Sequence, residues 1–166
     1  MAFALTFPWN NLAASVATGQ NKMSGTMRCA GKPTESHALE VGDHPGHVYM
    51  ITKGGGCTWT KPPEIAGTKM EDQTGVFFYE LDTNRVTYHG SDIMSMENGD
   101  KIYANLCNRG TPEKGINAGI WNSNGGTGKF QGIKGTGTYR CTFEGKPSME
   151  SPENCELQGE YSLPSK

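Results

Sequence analysis

The chain has 166 residues, a formal net charge of −2 and 23 glycines, and only 34% of its residues are hydrophobic. A chain of this length is expected to form one domain with a single core, and its glycine content favours a turn-rich β protein over a helical bundle. The weak charge and scattered basic residues argue against a nucleic-acid surface, and no apolar run reaches the about 20 residues of a spanning helix.

Residues 1–30 precede the segments that look like strands. They include an apolar stretch and an Ala14-Ser15-Val16-Ala17 sequence typical of a signal-peptidase site. However, the start lacks basic residues, and Pro8 interrupts the apolar stretch. Two interpretations remain open: a degenerate export segment, or an N-terminal arm packed on the body of the protein, which we favour. Residues 31–166 are predicted to form one β-barrel domain.

Strand-like segments follow one another from residue 35 onward, separated by turn residues such as Asn98-Gly99 and Asn124-Gly125-Gly126. Eight short strands without intervening helices predict an all-β fold, and closure of the sheet into an antiparallel up-and-down barrel would remove its exposed edges. The predicted strands are ESHALEV (35–41), HVYMITKG (47–54), GVFFYEL (75–81), RVTYHGSDIM (85–94), KIYANLCNRG (101–110), GIWNS (119–123), GTYRCTFE (137–144) and LQGEYSLP (157–164).

The five cysteines contain no CxxC pair, so a zinc knuckle, a thioredoxin site and c-type haem attachment lack support. Cys141 and Cys155 flank a turn-like stretch, and adjacent antiparallel strands would bring them within disulfide range. A disulfide and two buried thiols remain equally open; a disulfide would imply a periplasmic or secreted protein, whereas the cytoplasm is otherwise slightly favoured. His44 and His47 lack a carboxylate or third histidine at matching spacing, so no metal is predicted.

The run GGTGKFQGIKGTGTY (125–139) contains six glycines between Gly125 and Gly137. A phosphate-binding P-loop would need Ser or Thr where Phe130 stands, and the glycine spacing does not fit a dinucleotide-binding turn. We therefore predict a hairpin and a bent strand at the barrel rim, with Phe130 and Ile133 anchored in the core. A helix that begins at Gly128, or a nucleotide bound there, would contradict this interpretation.

The same run resembles the late hairpin of the allene oxide cyclase barrel-like superfamily, in which a Gly-Gly-Thr-Gly turn precedes an aromatic residue and a second glycine-flanked strand. The order of the strands VFFYELD, RVTYHGSDIM and KIYANLCNRG is similar too, over roughly residues 35–164. The resemblance implies an eight-stranded barrel with an apolar cavity. Members of this group, and the similar dirigent proteins, cyclise, isomerise or couple hydrophobic molecules, commonly without a cofactor and often as dimers or trimers. No active-site motif of the group is found here.

Side chains of a small barrel alternate between lumen and exterior, and the sequence leaves open which face of each strand points inward. In the strand-like segment 101–110, one face carries Ile102, Ala104 and Leu106. The other face carries the more polar residues Tyr103, Asn105, Cys107 and Arg109. We predict that the polar face lines the lumen. The predicted catalytic residues are Tyr79, His89 and Arg109, and the predicted substrate-binding residues are Tyr49, Trp59, Phe77, Tyr103, Asn105 and Trp121.

Two functions from different classes fit such a cavity. One is a cofactor-independent isomerase, cyclase or lyase for a small hydrophobic or aromatic molecule. The other is a non-catalytic, lipocalin-like carrier of an apolar molecule. A cluster of buried titratable groups in the lumen would favour the enzyme, and an all-apolar lumen would favour the carrier or a cyclase that selects by shape.

Overall fold

The computed structural model describes residues 20–30, 32–54, 56–82, 85–108, 115–145 and 151–165. Within these ranges the chain forms one antiparallel sheet of eleven strands. The strands are β1 (Asn21–Cys29), β2 (Glu35–Glu40), β3 (Val48–Lys53), β4 (Cys57–Lys61), β5 (Glu64–Ile65), β6 (Thr68–Asp82), β7 (Arg85–Met96), β8 (Lys101–Asn108), β9 (Ile116–Gly126), β10 (Lys134–Phe143) and β11 (Glu153–Ser162).

The sheet curls into a barrel in the order β2-β3-β6-β7-β8-β9-β10-β11-β1-β4, and β5 pairs with β6. The two sides meet where β4 leads through β5 into β6. At this seam the Gln73 amide donates a hydrogen bond to the Met27 sulfur at 3.2 Å, and the Ala66 N–H donates to the Tyr161 hydroxyl at 2.7 Å. The predicted all-β barrel is confirmed, with more strands than the eight expected.

The sheet begins earlier than the predicted boundary at residue 30, because β1 pairs along its whole length with β11. The strands β1, β4 and β5 differ from the prediction; they are short or rich in small and polar residues, so the sequence carries no clear strand pattern there. Residues 1–19, the rest of the predicted arm or export segment, lie outside the described residues. None of the helical residues in the described ranges belongs to a helix long and apolar enough to span a membrane.

Residues 125–139 form the predicted hairpin, since β9 and β10 pair from Ser123↔Gly135 onward. One turn of 3-10 helix, Gly128–Phe130, lies between the strands and begins at Gly128, which the sequence analysis did not predict. Three residues do not make a phosphate-binding helix. In addition, the Asp100 carboxylate accepts a hydrogen bond from the Lys129 N–H at 3.0 Å. An acidic side chain of the protein therefore occupies the position where a phosphate would have to bind.

Apolar side chains fill the end of the barrel next to this turn. Phe130 and Ile133 are 0% and 1% exposed, as predicted for the anchors of the glycine run. Each contributes roughly 1.5–3 kcal/mol through burial of its apolar surface. This end of the interior is solid, and the same buried cluster includes Ile65, Met70, Met96 and Ile102.

The Trp121 ring packs directly against the backbone of Gly137 and Gly159, which explains why β10 and β11 contain glycine there. Its indole is 2% exposed, and its Nε1–H donates to the Gln158 carbonyl at 3.2 Å. A Cβ atom at Gly137 would lie 2.6 Å from the Trp121 ring, and one at Gly159 would lie 2.4 Å from it. The missing side chains make room for the indole.

We therefore expect Gly159→Ala to lower the free energy of unfolding by about 1–3 kcal/mol, because the added methyl group overpacks the core against Trp121. Urea unfolding followed by circular dichroism measures the change. Thr138→Ala, an exposed position on the facing strand, serves as the control and should stay within about 0.5 kcal/mol of the wild type. Equal stabilities of Gly159→Ala and the control would contradict the packing described here.

Candidate functional site

A cavity of about 130 Å³ occupies the end of the barrel opposite the packed end. Apolar side chains make up much of its wall: Met27, Phe77, Met94, Leu106, Trp121 and Leu157. Polar groups that also face it are Gln73, Thr74, Tyr79, Tyr88, Asp92, Asn117, Tyr139 and Glu153. The cavity therefore combines an aromatic and aliphatic surface with several hydrogen-bonding and titratable groups, as ligand sites do.

Strand alternation decides which residues reach the cavity. Cross-strand partners lie on the same face of a sheet, and Tyr79 of β6 pairs with Tyr88 of β7. From Tyr88, every second position of β7 points inward, so Asp92 is 3% exposed and Met94 is 3% exposed. The inward face of β7 thus carries an aromatic phenol and a carboxyl group toward the same space.

Three tyrosines form the polar centre of the cavity. The Tyr88 and Tyr139 hydroxyl groups are hydrogen-bonded to each other, and the Asn117 amide donates to the Tyr88 hydroxyl at 3.4 Å. The Tyr79 ring lies against Tyr88 with a centroid separation of 5.1 Å. Asn108 helps to hold the Tyr88 backbone in place, because its Oδ1 accepts a hydrogen bond from the Tyr88 backbone N–H at 2.6 Å.

Burial keeps these phenols protonated. It raises the pKa of Tyr79 to about 12, and it raises the pKa values of Tyr88 and Tyr139 above the ordinary value of 10.0. Removal of the phenolic proton would place a negative charge in a poorly solvated space. At neutral pH the three hydroxyl groups are therefore neutral hydrogen-bond donors and acceptors and do not act as bases.

Two carboxyl groups line the same cavity. Burial raises the pKa of Asp92 to about 7, with a smaller contribution from the nearby charge of Asp72. Burial also raises the pKa of Glu153, and its buried Oε2 has no hydrogen-bond partner among the described residues. A carboxyl group with a pKa near 7 is divided between its acid and its base form at neutral pH, which suits it to proton transfer in either direction.

Two disulfides complete the wall. Cys141 of β10 pairs directly with Cys155 of β11, and the two form a disulfide. From the sequence, a disulfide and two buried thiols were equally open. Cys29 and Cys57 form a second disulfide between β1 and β4. That pair was not predicted, because neither of these strands was recognised. All four half-cystines line the cavity.

Some of the predicted site residues lie inside the barrel. Tyr79, Phe77 and Trp121 line the cavity. Trp59 is half-buried and packs against the core without lining the cavity. Arg109 lies outside the described residues, so its predicted catalytic role stays a prediction.

The other predicted residues are on the outside of the barrel, which corrects the predicted inward face. His89 pairs with Phe78 and stacks on its ring at 5.5 Å, while Phe78 is 50% exposed. Asn105 is exposed and accepts a hydrogen bond from Ser91. Tyr103 and Tyr49 are 37% and 52% exposed.

Hydrophobic burial explains why β7 and β8 turn these faces outward. The inward set on β8 includes Ile102 and Ala104, both 1% exposed. The opposite phase would expose these apolar groups and bury the amide of Asn105, which costs free energy unless every polar atom finds a partner. His89 cannot share a face with Tyr79, because the partner of Tyr79 is the neighbouring residue Tyr88.

Five residues that line the cavity were not predicted from the sequence: Tyr88, Asp92, Asn117, Tyr139 and Glu153. One signal for two of them was present: Tyr88 and Asp92 are four residues apart, so they share a strand face with Met94 and Met96. Asn117 and Glu153 stand at the beginnings of β9 and β11, outside the strand segments predicted from the sequence, so no pattern pointed to them.

No protein-family model matches the sequence, and the search of curated proteins found no match. Two solved structures are similar to this chain: those of the pterocarpan synthase dirigent proteins GePTS1 and PsPTS1. Their TM-scores are 0.48 and 0.49, with 12% and 10% sequence identity. The alignments cover 89% of this chain in both cases, and 87% and 97% of the two dirigent proteins. At these identities the likeness concerns the fold alone, and membership in the allene oxide cyclase group stays a prediction.

The raised pKa of Asp92 predicts a specific pH dependence of stability. Because the pKa is about 7 in the folded protein against an ordinary value of 3.8, the folded state holds this proton more tightly than the unfolded state. The protonated Asp92 therefore contributes fully to the free energy of unfolding below about pH 4. This contribution, on the order of a few kcal/mol, is lost as the pH rises to about 7. Asp92→Asn should therefore lose less stability than the wild type between pH 4 and pH 8.

Urea unfolding at several pH values measures this difference. Glu71→Gln, which removes an exposed carboxyl group on β6, is the matched control and should follow the wild type. If Asp92→Asn and the wild type lose the same free energy of unfolding over this pH range, Asp92 does not titrate in a dry interior.

Proposed function

We propose that the protein is a cofactor-independent isomerase, cyclase or lyase that binds a small hydrophobic or aromatic molecule in the barrel cavity. The observation that supports this most is the cluster of titratable side chains around the cavity: Asp92 and Glu153, both with raised pKa values, face the same space as the neutral hydroxyl groups of Tyr79, Tyr88 and Tyr139. A lumen designed only for storage would not need two carboxyl groups that are costly to bury.

The size and chemistry of the cavity limit the ligand. Its volume of about 130 Å³ is close to the roughly 150 Å³ of an engineered cavity that takes up benzene. Phe77, Tyr88 and Trp121 provide aromatic surfaces for a flat group. The ligand is therefore a single-ring molecule, or the ring of a larger one whose remainder extends out of the cavity.

In this proposal Asp92 moves the proton and the tyrosines stabilise the charge that develops. The Asp92 carboxylate removes a proton from a carbon atom next to a carbonyl group. The negative charge forms on an oxygen that accepts hydrogen bonds from the phenols, which remain protonated because their pKa values are raised. The carboxyl group of Asp92 or Glu153 then returns a proton to another atom. For an isomerase, the net reaction moves one proton within the substrate and needs no oxidant or reductant.

The alternative is a non-catalytic carrier in which the same groups only bind and orient the ligand. Neutral phenols and an aromatic wall suit binding alone equally well. The two proposals differ in what Asp92 does: in an enzyme its removal lowers the rate of turnover, and in a carrier its removal changes affinity only. Association into a homo-dimer or homo-trimer, as the family resemblance implies, stays a prediction. The two disulfides support an oxidising compartment as the place of action.

Exchange of carbon-bound hydrogen in D₂O tests the enzyme proposal without knowledge of the natural substrate. Small single-ring ketones and aldehydes with acidic α-hydrogens are incubated with the protein, and deuterium incorporation is followed by NMR. We expect the wild type to accelerate exchange for at least one of them. Asp92→Asn should lower the rate about 10²- to 10⁴-fold, because the general base is missing, and should retain affinity for the ketone as measured by tryptophan fluorescence.

Two further variants make the result decisive. Leu106→Trp fills the cavity and should abolish both binding and exchange, whereas His89→Ala on the outer face should change neither. Binding without exchange in the wild type would favour the carrier. If Leu106→Trp binds and exchanges like the wild type, the site does not lie in the cavity and both proposals are wrong.

A further inference from the structure

A second cluster of functional side chains lies on the outer surface, in the loop that joins β2 to β3. The loop contains the sequence Asp43-His44-Pro45-Gly46-His47. One donor atom from each of Asp43, His44 and His47 can be chosen so that all of them lie within 4.8 Å of one another. None of the three residues lines the barrel cavity.

The Asp43 carboxylate lies between the two imidazole rings. One of its oxygens is 3.2 Å from Nδ1 of His44, and the other is 2.9 Å from Nδ1 of His47. In a tetrahedral site with bonds of about 2.0–2.2 Å, neighbouring ligand atoms are about 3.3–3.5 Å apart. A separation of a few tenths of an ångström would therefore let one ion bind to both Nδ1 atoms and to Asp43.

A carboxylate from β6 also lies behind each histidine, on the far side of its ring. Asp82 is 2.9 Å from Nε2 of His44, and Glu80 is 3.5 Å from Nε2 of His47. Metal-bound histidines usually donate their other ring N–H to such a carboxylate, which fixes the tautomer and orients the ring. Here that arrangement would leave both Nδ1 atoms with a lone pair directed toward Asp43.

Glu80 is itself held in place. Arg85 and Thr87 donate hydrogen bonds to its two oxygens at 3.1 and 3.2 Å. The side chain of His47 is only 13% exposed, and its buried Nε2 has no hydrogen-bond partner among the described residues, since Glu80 lies at the outer limit of the distance range. A small inward shift of this ring on metal binding would complete that hydrogen bond.

No metal site was predicted from the sequence, because His44 and His47 lack a carboxylate or a third histidine at matching spacing. The turn of the loop supplies Asp43: Gly42 and Gly46 take positive φ values of 84°, which lets the chain fold back until the His47 N–H reaches the His44 carbonyl at 3.4 Å. The pairing of β3 with β6 supplies the other two carboxylates, Glu80 and Asp82, because it places Val48 opposite Leu81. Neither contact can be inferred from spacing alone.

We propose that His44, His47 and Asp43 form a binding site for one divalent transition-metal ion, of which Zn²⁺ is the representative. Imidazole nitrogen and carboxylate oxygen are ligands that suit Zn²⁺ and its neighbours in the first transition row. The remaining coordination position is taken by water, since His44 is 42% exposed and Asp43 is 52% exposed. The bound ion would cross-link the β2–β3 loop and, through Asp82 and Glu80, tie it to β6.

Calorimetric titration of the full chain with Zn²⁺, after treatment with a chelator and dialysis, tests the site. We expect saturable binding of one ion per chain and a higher midpoint of thermal unfolding in its presence. His44→Ala and His47→Ala should each weaken binding at least tenfold, and the double variant should abolish it and the thermal shift. Asp82→Asn and Glu80→Gln should weaken binding about 10- to 100-fold through the orientation of the rings.

The controls come from the remaining histidines and the free thiol. His37→Ala changes an exposed histidine on β2 and should bind as the wild type does. Cys107 is a free cysteine that lies opposite His89, so these two residues are the obvious competing ligands. The double variant His89→Ala/Cys107→Ser should retain full affinity, and the Co²⁺-loaded protein should lack a thiolate charge-transfer band.

Three results would overturn the proposal. They are the absence of saturable Zn²⁺ binding in the wild type, unchanged affinity in the His44→Ala/His47→Ala double variant, and loss of binding in His89→Ala/Cys107→Ser. Circular dichroism of each variant shows that the fold is intact. Because the cluster lies outside the cavity, these outcomes are independent of the exchange experiment on the proposed function.

Discussion

The alternation of side chains along β6, β7 and β8 is the constraint on which the site depends. Each residue points either into the barrel or out of it, and cross-strand partners must point the same way. Once Ile102 and Ala104 of β8 are buried, the hydrogen-bonded register fixes the faces of the neighbouring strands. Tyr79, Tyr88 and Asp92 then meet in the cavity, and His89 and Asn105 face outward. The choice of which face of β8 points inward therefore determines which polar side chains line the cavity.

The two ends of the barrel interior have different roles. At one end, Phe130, Ile133 and Met96 make a solid core that holds the strands in place. At the other end, two disulfides and a network of phenols surround a cavity. Burying titratable groups such as Asp92 costs stability. The buried apolar side chains of the packed end offset that cost.

The sequence predicts the fold better than the site. The strand-like segments and the turn residues between them identify an all-β barrel. The glycine spacing around Gly128 fits no phosphate-binding motif, which leaves a hairpin as the interpretation of this run. The site depends on which face of each strand is buried, and a strand such as β8 carries plausible side chains on both faces, as Ile102 and Tyr103 illustrate. Asn117, Glu153 and the cluster of Asp43 with His44 and His47 come together only through strand pairing and loop geometry, for which the sequence has no local signal.

The proposed chemistry depends on the titration of Asp92 in the poorly solvated interior of the barrel. NMR measures this directly through the ¹³C shift of the Asp92 side-chain carboxyl carbon as a function of pH, with Asp92→Asn to assign the signal. We expect a midpoint at about pH 7 and a signal that is perturbed when a single-ring ligand is added. A midpoint near the ordinary value of 3.8, with no response to any such ligand, would contradict it.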